Sequence, residues 1–145
     1  MGGVYKSSFV LIGCMTQATT RTEQTSHAPP LMDKAFFGKD NCLTVQLRAG
    51  SCFFKWGRKV GDSWEWKSVK FSDVELGEIV GLLEGRVDEA KFYHSFNDES
   101  TQIWISRLDK SVVFKAGEYT KGLALGEQKV LEVLLTHTVW MMNLT

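Results

Sequence analysis

The feature that most constrains the fold is a block of strand patterns followed by a helical pattern, which occurs twice along the chain. Residues 43–49 alternate strictly between apolar and polar side chains, the period of a half-buried β-strand. Glycine-containing turns follow, and two further strands are predicted over 52–60 and 64–71. Strands joined in sequence by such short turns pair with their neighbours, so this block predicts an antiparallel sheet.

A helix is predicted directly after this sheet. Ser72 and Glu75 have the spacing of a capping box, in which the hydroxyl and the carboxylate each accept a hydrogen bond from a backbone amide at the helix start. Gly85 is the type of residue that ends a helix. The apolar residues between them share one face, namely Leu76, Ile79, Val80 and Leu83.

The second block repeats this order. It contains predicted strands at 91–96, 101–108, 111–116 and 123–125, a loop at 117–122, and a helix from about Gly126 to Met142. The fold class is therefore α+β, with two antiparallel β-sheets each followed by a helix. In the last helix Val130, Leu131, Leu134 and Met141 share a face, and further apolar residues widen it. A helix this apolar needs a second surface to bury, which predicts a homo-oligomer.

The chain divides into two predicted parts. Residues 1–33 are interpreted as a flexible tail or targeting segment, because the polar, Thr-rich run before Pro29-Pro30 has too little apolar surface to offset its ordering entropy. The stretch Leu11 to Cys14 is similar to a lipoprotein cleavage box, but its apolar run is short, and a transit peptide is the other alternative. Residues 34–145 are predicted to form a single domain.

Charge and cysteine content restrict the class of protein. The net charge is zero, but residues 1–60 carry a surplus of five positive charges and residues 61–145 a surplus of five negative ones. A positive segment of a neutral chain can still attract anions locally. The three cysteines form no paired motif, which favours an intracellular, reducing compartment. No apolar run reaches the ~20 residues of a membrane span.

Motifs for catalysis, a cofactor or a metal are not found in the sequence. There is no glycine-rich phosphate loop, no nucleophile elbow and no metal-ligand spacing of His and Cys. We therefore expect a protein that is not an enzyme, without a cofactor or metal.

Cations and aromatic rings are interleaved on the predicted strands. Binding a single strand without reading its sequence requires cations for phosphates and flat rings on which bases stack. Segment 53–59 supplies both, but alternation puts one of its two aromatic sets in the core, and the sequence leaves open which one. The candidate nucleic-acid-binding residues are Lys39, Arg48, Phe53, Lys55, Trp56, Arg58, Lys59, Trp64, Trp66, Lys67, Lys70, Tyr93, Arg107 and Lys115.

Short motifs between residues 38 and 143 occur in a characteristic order. They are Gly38-Lys39, Leu43-Thr44-Val45, Trp66-Lys67, Phe71-Ser72, Glu75-Leu76-Gly77, Leu82-Leu83, Phe92-Tyr93-His94 and Gly126-Glu127. In this order they resemble the Whirly and PC4-like family of single-stranded DNA-binding proteins. The resemblance implies two four-stranded sheets, a homotetramer, and sequence-tolerant binding of single strands in transcription, recombination or DNA protection. This sequence departs from the family pattern at Phe37, in a segment that the family associates with assembly of the oligomer.

Two functions are therefore carried forward. The first is binding of single-stranded DNA, or of RNA, by a homo-oligomer with no membrane partner. The second is a protein-interaction or structural role in which the same aromatic sheet contacts another protein, because aromatic and arginine residues also dominate protein interfaces.

Overall fold

The structure is a computed structural model, and it describes residues 29–144. Two four-stranded antiparallel sheets are each followed by a helix, as the sequence predicts. Sheet A has the order β1-β2-β3-β4 and sheet B the order β5-β6-β7-β8. The elements are β1 Met32–Phe37, β2 Asn41–Arg48, β3 Ser51–Val60, β4 Ser63–Phe71, α1 Asp73–Leu83, β5 Glu89–Phe96, β6 Glu99–Leu108, β7 Ser111–Ala116, β8 Tyr119–Leu123 and α2 Leu125–Met142.

One core joins both sheets and both helices. The inward side chains of sheet A include Phe54 and Phe71, whose rings meet edge to face with centroids 4.8 Å apart. Phe114 of sheet B belongs to the same cluster, as do Leu76 of α1 and Leu131 of α2. Because the inner faces of both sheets are buried in this core, their outer faces point away from it.

Helix α1 begins and ends where the sequence predicts. Ser72 accepts a hydrogen bond from the amide of Glu75 at 3.2 Å, and the Glu75 carboxylate accepts one from the Ser72 amide at 2.9 Å. The second carboxylate oxygen of Glu75 lies 2.8 Å from His94 Nε2, which connects the helix start to sheet B. At the other end Gly85 has φ +86°, a conformation that glycine adopts without steric cost.

Two strands differ from the prediction. Strand β1, Met32–Phe37, is not predicted by the sequence, because Asp33 and Lys34 interrupt its alternation. It is an edge strand that pairs only with β2 in sheet A. Strand β8, Tyr119–Leu123, occupies most of the predicted loop at 117–122, where Lys121 and Gly122 weaken the strand pattern. The other predictions for residues 1–28 lie outside the described part of the chain, and the domain division after residue 33 stays a prediction.

Helix α2 turns a different side to the core than predicted. Leu131 and Leu135 are buried, but Gln128 and Thr138 are buried beside them, whereas Val130 and Met141 are exposed. The Gln128 amide donates to the carbonyls of Lys110 and Leu123 at 2.8 and 2.9 Å. These two bonds compensate for burying a polar group. Apolar residues occur on several sides of this helix, so its sequence alone does not show which side faces the core.

Candidate nucleic-acid interface

The two faces of β3 are now distinguished. Phe54 and Trp56 point into the core and are fully buried, whereas Phe53 and Lys55 point outward and are half-buried. Trp56 donates its indole N–H to the carbonyl of Phe114 at 3.1 Å, which joins the two sheets. A ring held inside the core cannot stack on a base, so the predicted binding role of Trp56 is wrong. Alternation in the sequence does not show which face of β3 is buried, because each face carries a Lys or Arg as well as aromatic residues.

The outward side chains of β3 and β4 form one surface, which we call the β3–β4 face. In the strand register Lys59 lies opposite Trp64, and Phe53 lies opposite Lys70. Each pair therefore places a cation directly beside an aromatic ring, at a Cβ separation of about 5 Å. The face consists of Ser51, Phe53, Lys55, Gly57, Lys59, Trp64, Trp66, Ser68 and Lys70. It contains no carboxylate.

Two tryptophans of β4 are stacked at the end of this face nearest the β3–β4 turn. The rings of Trp64 and Trp66 lie 6.0 Å apart at an angle of 25°. Trp66 also covers Gly57 on the neighbouring strand, since a Cβ atom at position 57 would lie only 2.7 Å from its ring. Glycine at this position lets the indole lie flat against the β3 backbone. The result is a broad, half-exposed aromatic platform that rests directly on the sheet.

Lys55 lies within the same face. Burial and the nearby charge of Arg48 lower the pKa of Lys55, while Asp33 on β1 raises it in part. The Arg48 Nε lies 3.4 Å from the Gln46 side-chain oxygen on the same strand. An ammonium group that is partly desolvated and beside another cation is stabilised when an anion comes near. Lys55 and Arg48 therefore give this face an electrostatic preference for phosphate.

Other predicted residues are placed elsewhere. Arg58 points inward at the sheet edge, donates to Glu65 at 2.9 and 3.0 Å, and lies over the Tyr119 ring. The hydrogen bond that Arg58 donates to Glu65 is the main cause of the raised pKa of Arg58. Lys67 Nζ is 3.9 Å from the Glu99 carboxylate. These two cations are already paired with acids and do not join the β3–β4 face.

Arg107 and Lys39 are also apart from it. The Arg107 guanidinium donates to the Leu82 carbonyl of α1 and lies 3.4 Å from the Gln128 side chain of α2, so it holds the two helices against sheet B. A predicted binding role for Arg107 does not agree with this placement. Lys39 is exposed in the turn between β1 and β2.

Sheet B presents a second, smaller set of candidates. Tyr93 and Lys115 point outward, as does Trp104, which the prediction omitted. The sequence could have indicated Trp104, because alternation through 101–108 places it on the opposite face of the strand from Ile103 and Ile105. Trp104 lies between Lys91 of β5 and Lys115 of β7 in the register. We call this surface the Trp104 face; it consists of Glu89, Lys91, Tyr93, Gln102, Trp104, Ser106, Leu108, Val113 and Lys115.

The described residues offer neither a metal site nor a membrane-spanning helix. Within 29–144 no group of three or more His, Cys, Asp or Glu side chains could hold a metal ion. No helix of that range combines the length and apolar character of a membrane span. Burial raises the pKa of the Cys52 thiol to about 12, and the Cys42 thiol lies 3.6 Å from the Thr44 hydroxyl. The reducing compartment stays a prediction.

Solved structures share this fold. The Trypanosoma brucei MRP1/MRP2 proteins superpose with a TM-score of 0.59 at 16% identity, covering 80% of this chain and 87% of theirs. A guide-RNA-binding protein complex bound to a guide RNA gives a TM-score of 0.61 at 17% identity, covering 79% of this chain and 92% of that chain. No protein-family model matches the chain. No curated protein sequence matches it either.

These comparisons correct the resemblance to the Whirly and PC4-like family. No family model supports that assignment, and solved structures that share this fold include the MRP1/MRP2 proteins and the guide-RNA complex. The short motifs on which the resemblance depended are mostly capping and core positions, such as Ser72, Glu75 and Leu76. Such positions serve the architecture of two sheets and two helices and carry no information on the ligand.

Proposed function

We propose that this protein binds single-stranded nucleic acid on the β3–β4 face, with RNA favoured over DNA. The observation that carries the proposal is the stacked pair Trp64 and Trp66, with Lys59 opposite Trp64 and Lys70 farther along β4, on a face without carboxylates. Stacking on such a platform does not depend on base identity, because every base has a flat ring. We therefore expect weak dependence on sequence and a binding role without catalysis.

The dimensions of the face agree with several bound nucleotides. From Phe53 to Lys59 the strand advances about 20 Å at ~3.3 Å per residue. Single-strand sites on comparable sheet surfaces hold ~4–16 nucleotides. Cations lie at both ends of this length and near its middle, at Lys59, Lys70 and Lys55. A backbone that follows the strands would keep its phosphates near a positive charge throughout.

The preference for RNA is supported by a structural neighbour. A protein complex of the same fold is bound to a guide RNA. At 17% identity this likeness concerns the fold, so the ligand of this chain is inferred and the comparison of RNA with DNA belongs to the experiment. Both ligands use the same phosphates and base faces, and they differ at the 2′-hydroxyl.

Charge reversal on the β3–β4 face tests this proposal. Anisotropy of a fluorescein-labelled 30-mer of uridine is measured with the full-length protein and with K59E/K70E. Both lysines are exposed, so the fold is expected to tolerate the change. We expect binding to weaken at least tenfold, and the slope of log K against log salt to fall by about 1.4, since each phosphate contact contributes ~0.7 for single strands.

The control is K110E/K129E, which changes the net charge equally at exposed positions outside this face. Equal losses for both double variants, or no binding of U30 or dT30 by the native protein at low salt, would overturn the proposal. The second outcome would leave the protein-interaction role as the better account of the aromatic face. Competition between U30 and dT30 then ranks RNA against DNA.

We also propose that the protein is a homo-oligomer that assembles through its helices. The outward side of α2 carries Val130, Val133 and Trp140, the last with 63% of its surface exposed. On α1, Val74 is exposed, and Gly77 leaves open space where a side chain would stand. An apolar layer of this kind is rarely left in water. A second copy of the chain would bury it.

Light scattering on the full-length protein tests the assembly. We expect a mass of at least two chains for the native protein and of one chain for V133E/W140E. The variant E78K, on the exposed side of α1, is a control for a charge change near the same layer. A native monomer at micromolar concentration contradicts this part of the proposal and leaves nucleic-acid binding open.

A further inference from the structure

The Trp104 face combines a cation, a ring and a cation in one row. Trp104 on β6 is directly opposite Lys91 on β5 and Lys115 on β7. Neighbouring strands lie about 4.8 Å apart, so the row spans about 10 Å across the sheet. The Lys115 ammonium lies 5.6 Å from the indole centroid, within the range of a cation–π contact.

A shallow depression lies beside this ring. Its volume is about 230 Å³. It is bordered by Trp104, Ser106, Leu108 and Val113, together with the charged side chains of Glu89 and Lys115. Trp104 is 38% exposed and Leu108 is 60% exposed, which leaves a flat apolar surface open to solvent. A flat aromatic ligand can stack there while a hydroxyl remains available for a hydrogen bond.

Charge complementarity selects the ligand. Two lysines flank the ring, and the carboxylate of Glu89, 3.9 Å from Lys91, is the only acid on this face. The row is thus net positive, with an aromatic surface at its centre. A nucleobase stacked on Trp104, with its flanking phosphates near Lys91 and Lys115, satisfies all three groups. Because Glu89 opposes one of the cations, this site is weaker than the β3–β4 face.

We infer that the Trp104 face is a second single-strand site, so that one protomer holds two RNA segments at once. This inference rests on the proposed function, because it assigns the same ligand class to the other sheet. The two faces belong to different sheets that turn their inner sides to a common core. Short oligonucleotides therefore occupy them independently, and a long strand is engaged at both.

Stoichiometry with a short probe tests the inference. Native mass spectrometry and calorimetry of the full-length protein with an 8-mer of uridine are expected to give two bound oligomers per protomer. In K91E/K115E the weaker site is lost and one remains, while K110E/K129E still binds two. At the weaker site, Trp104→Leu weakens binding by about 5- to 150-fold, the loss of one stack, whereas Trp104→Phe stays within about threefold of the native protein.

The outcomes separate this inference from the proposed function. One U8 per protomer, abolished by K59E/K70E and unaffected by K91E/K115E, overturns the second site and keeps the first. Absence of U8 binding to the native protein overturns both. Circular dichroism and a thermal melt on each variant verify that a lost site does not reflect a lost fold.

Discussion

The two sheets have the same strand order and differ in what their outer faces carry. Sheet A presents two stacked tryptophans with lysines nearby, and the outward side chains of β3 and β4 include no carboxylate. Sheet B presents one tryptophan between two lysines, with Glu89 close to one of them. The architecture is repeated, whereas the surface chemistry is not. The repeated strand order is set by packing in the common core. Outward side chains do not take part in that packing, so the two sheets can differ in their affinity for the same ligand.

The largest expected effect separates an inner tryptophan from an outer one. Trp56→Ala removes a fully buried ring and its hydrogen bond to Phe114, so we expect the free energy of unfolding to fall by about 3–5 kcal/mol. Trp104→Ala removes a partly exposed ring, and we expect a loss of about 1 kcal/mol. Urea titrations followed by circular dichroism measure both. Similar losses would mean that the two rings are equally buried in solution.

The next effect concerns RNA affinity at the two faces. Trp64→Leu removes one stacking surface from the β3–β4 face, and we expect U30 to bind more weakly by about 1–3 kcal/mol. Trp64→Phe keeps an aromatic ring and serves as the matched control. Trp104→Leu is expected to affect U30 less, because its face is the weaker one. Anisotropy titrations that rank Trp104 above Trp64 would reverse the comparison.

A pair of glycines offers a smaller and sharper test. Gly57→Ala would place a methyl group 2.7 Å from the Trp66 ring and push that ring away from Trp64. Gly122 occupies an outward position on β8, where an added Cβ meets nothing within 4 Å. We expect Gly57→Ala to weaken U30 binding several-fold and Gly122→Ala to leave it unchanged. If both alanines behave alike, the position of the Trp66 ring does not matter for binding.

The smallest expected effect is a pH dependence specific to sheet A. Because the pKa of Lys55 is lowered from 10.5, this ammonium loses its proton at a lower pH than an ordinary lysine. As the pH rises into the range in which this lysine deprotonates, which begins lower than for an ordinary lysine, we expect U30 affinity to decline by about two- to threefold through the loss of this one phosphate contact. Lys55→Arg stays charged and should abolish the decline. If Lys55→Arg shows the same decline with pH as the native protein, the assignment to Lys55 is contradicted.

Much of the fold could be predicted from periodicity and caps. Strict alternation located β2, the turns that follow it located β3 and β4, and the Ser72–Glu75 pair located the start of α1, because these signals are local. The edge strand β1 and the strand β8 were missed, since pairing with a neighbour holds them in place and their own pattern is weak. A partner strand is a tertiary feature that single-sequence reasoning does not contain.

The candidate site was predicted less completely, for a related reason. Alternation divides side chains between two faces but does not say which face is the core. The sequence therefore does not distinguish the face with Phe54 and Trp56 from the face with Phe53 and Lys55. Register and burial show that the first of them is the core face. Arg58 and Arg107 looked like surface cations, although their partners, Glu65 and the Leu82 carbonyl, keep them in structural roles. Long-range pairing of this kind has no sequence signature.

Photo-crosslinking tests the central claim most directly. The full-length protein is irradiated with a uridine-rich RNA 30-mer, and the crosslinked peptides are identified by mass spectrometry. The account predicts that the dominant crosslinks fall within residues 53–70, at Trp64, Trp66 or Phe53, with a weaker group at Trp104. Crosslinks confined to the helices, with none on β3 and β4, would contradict it.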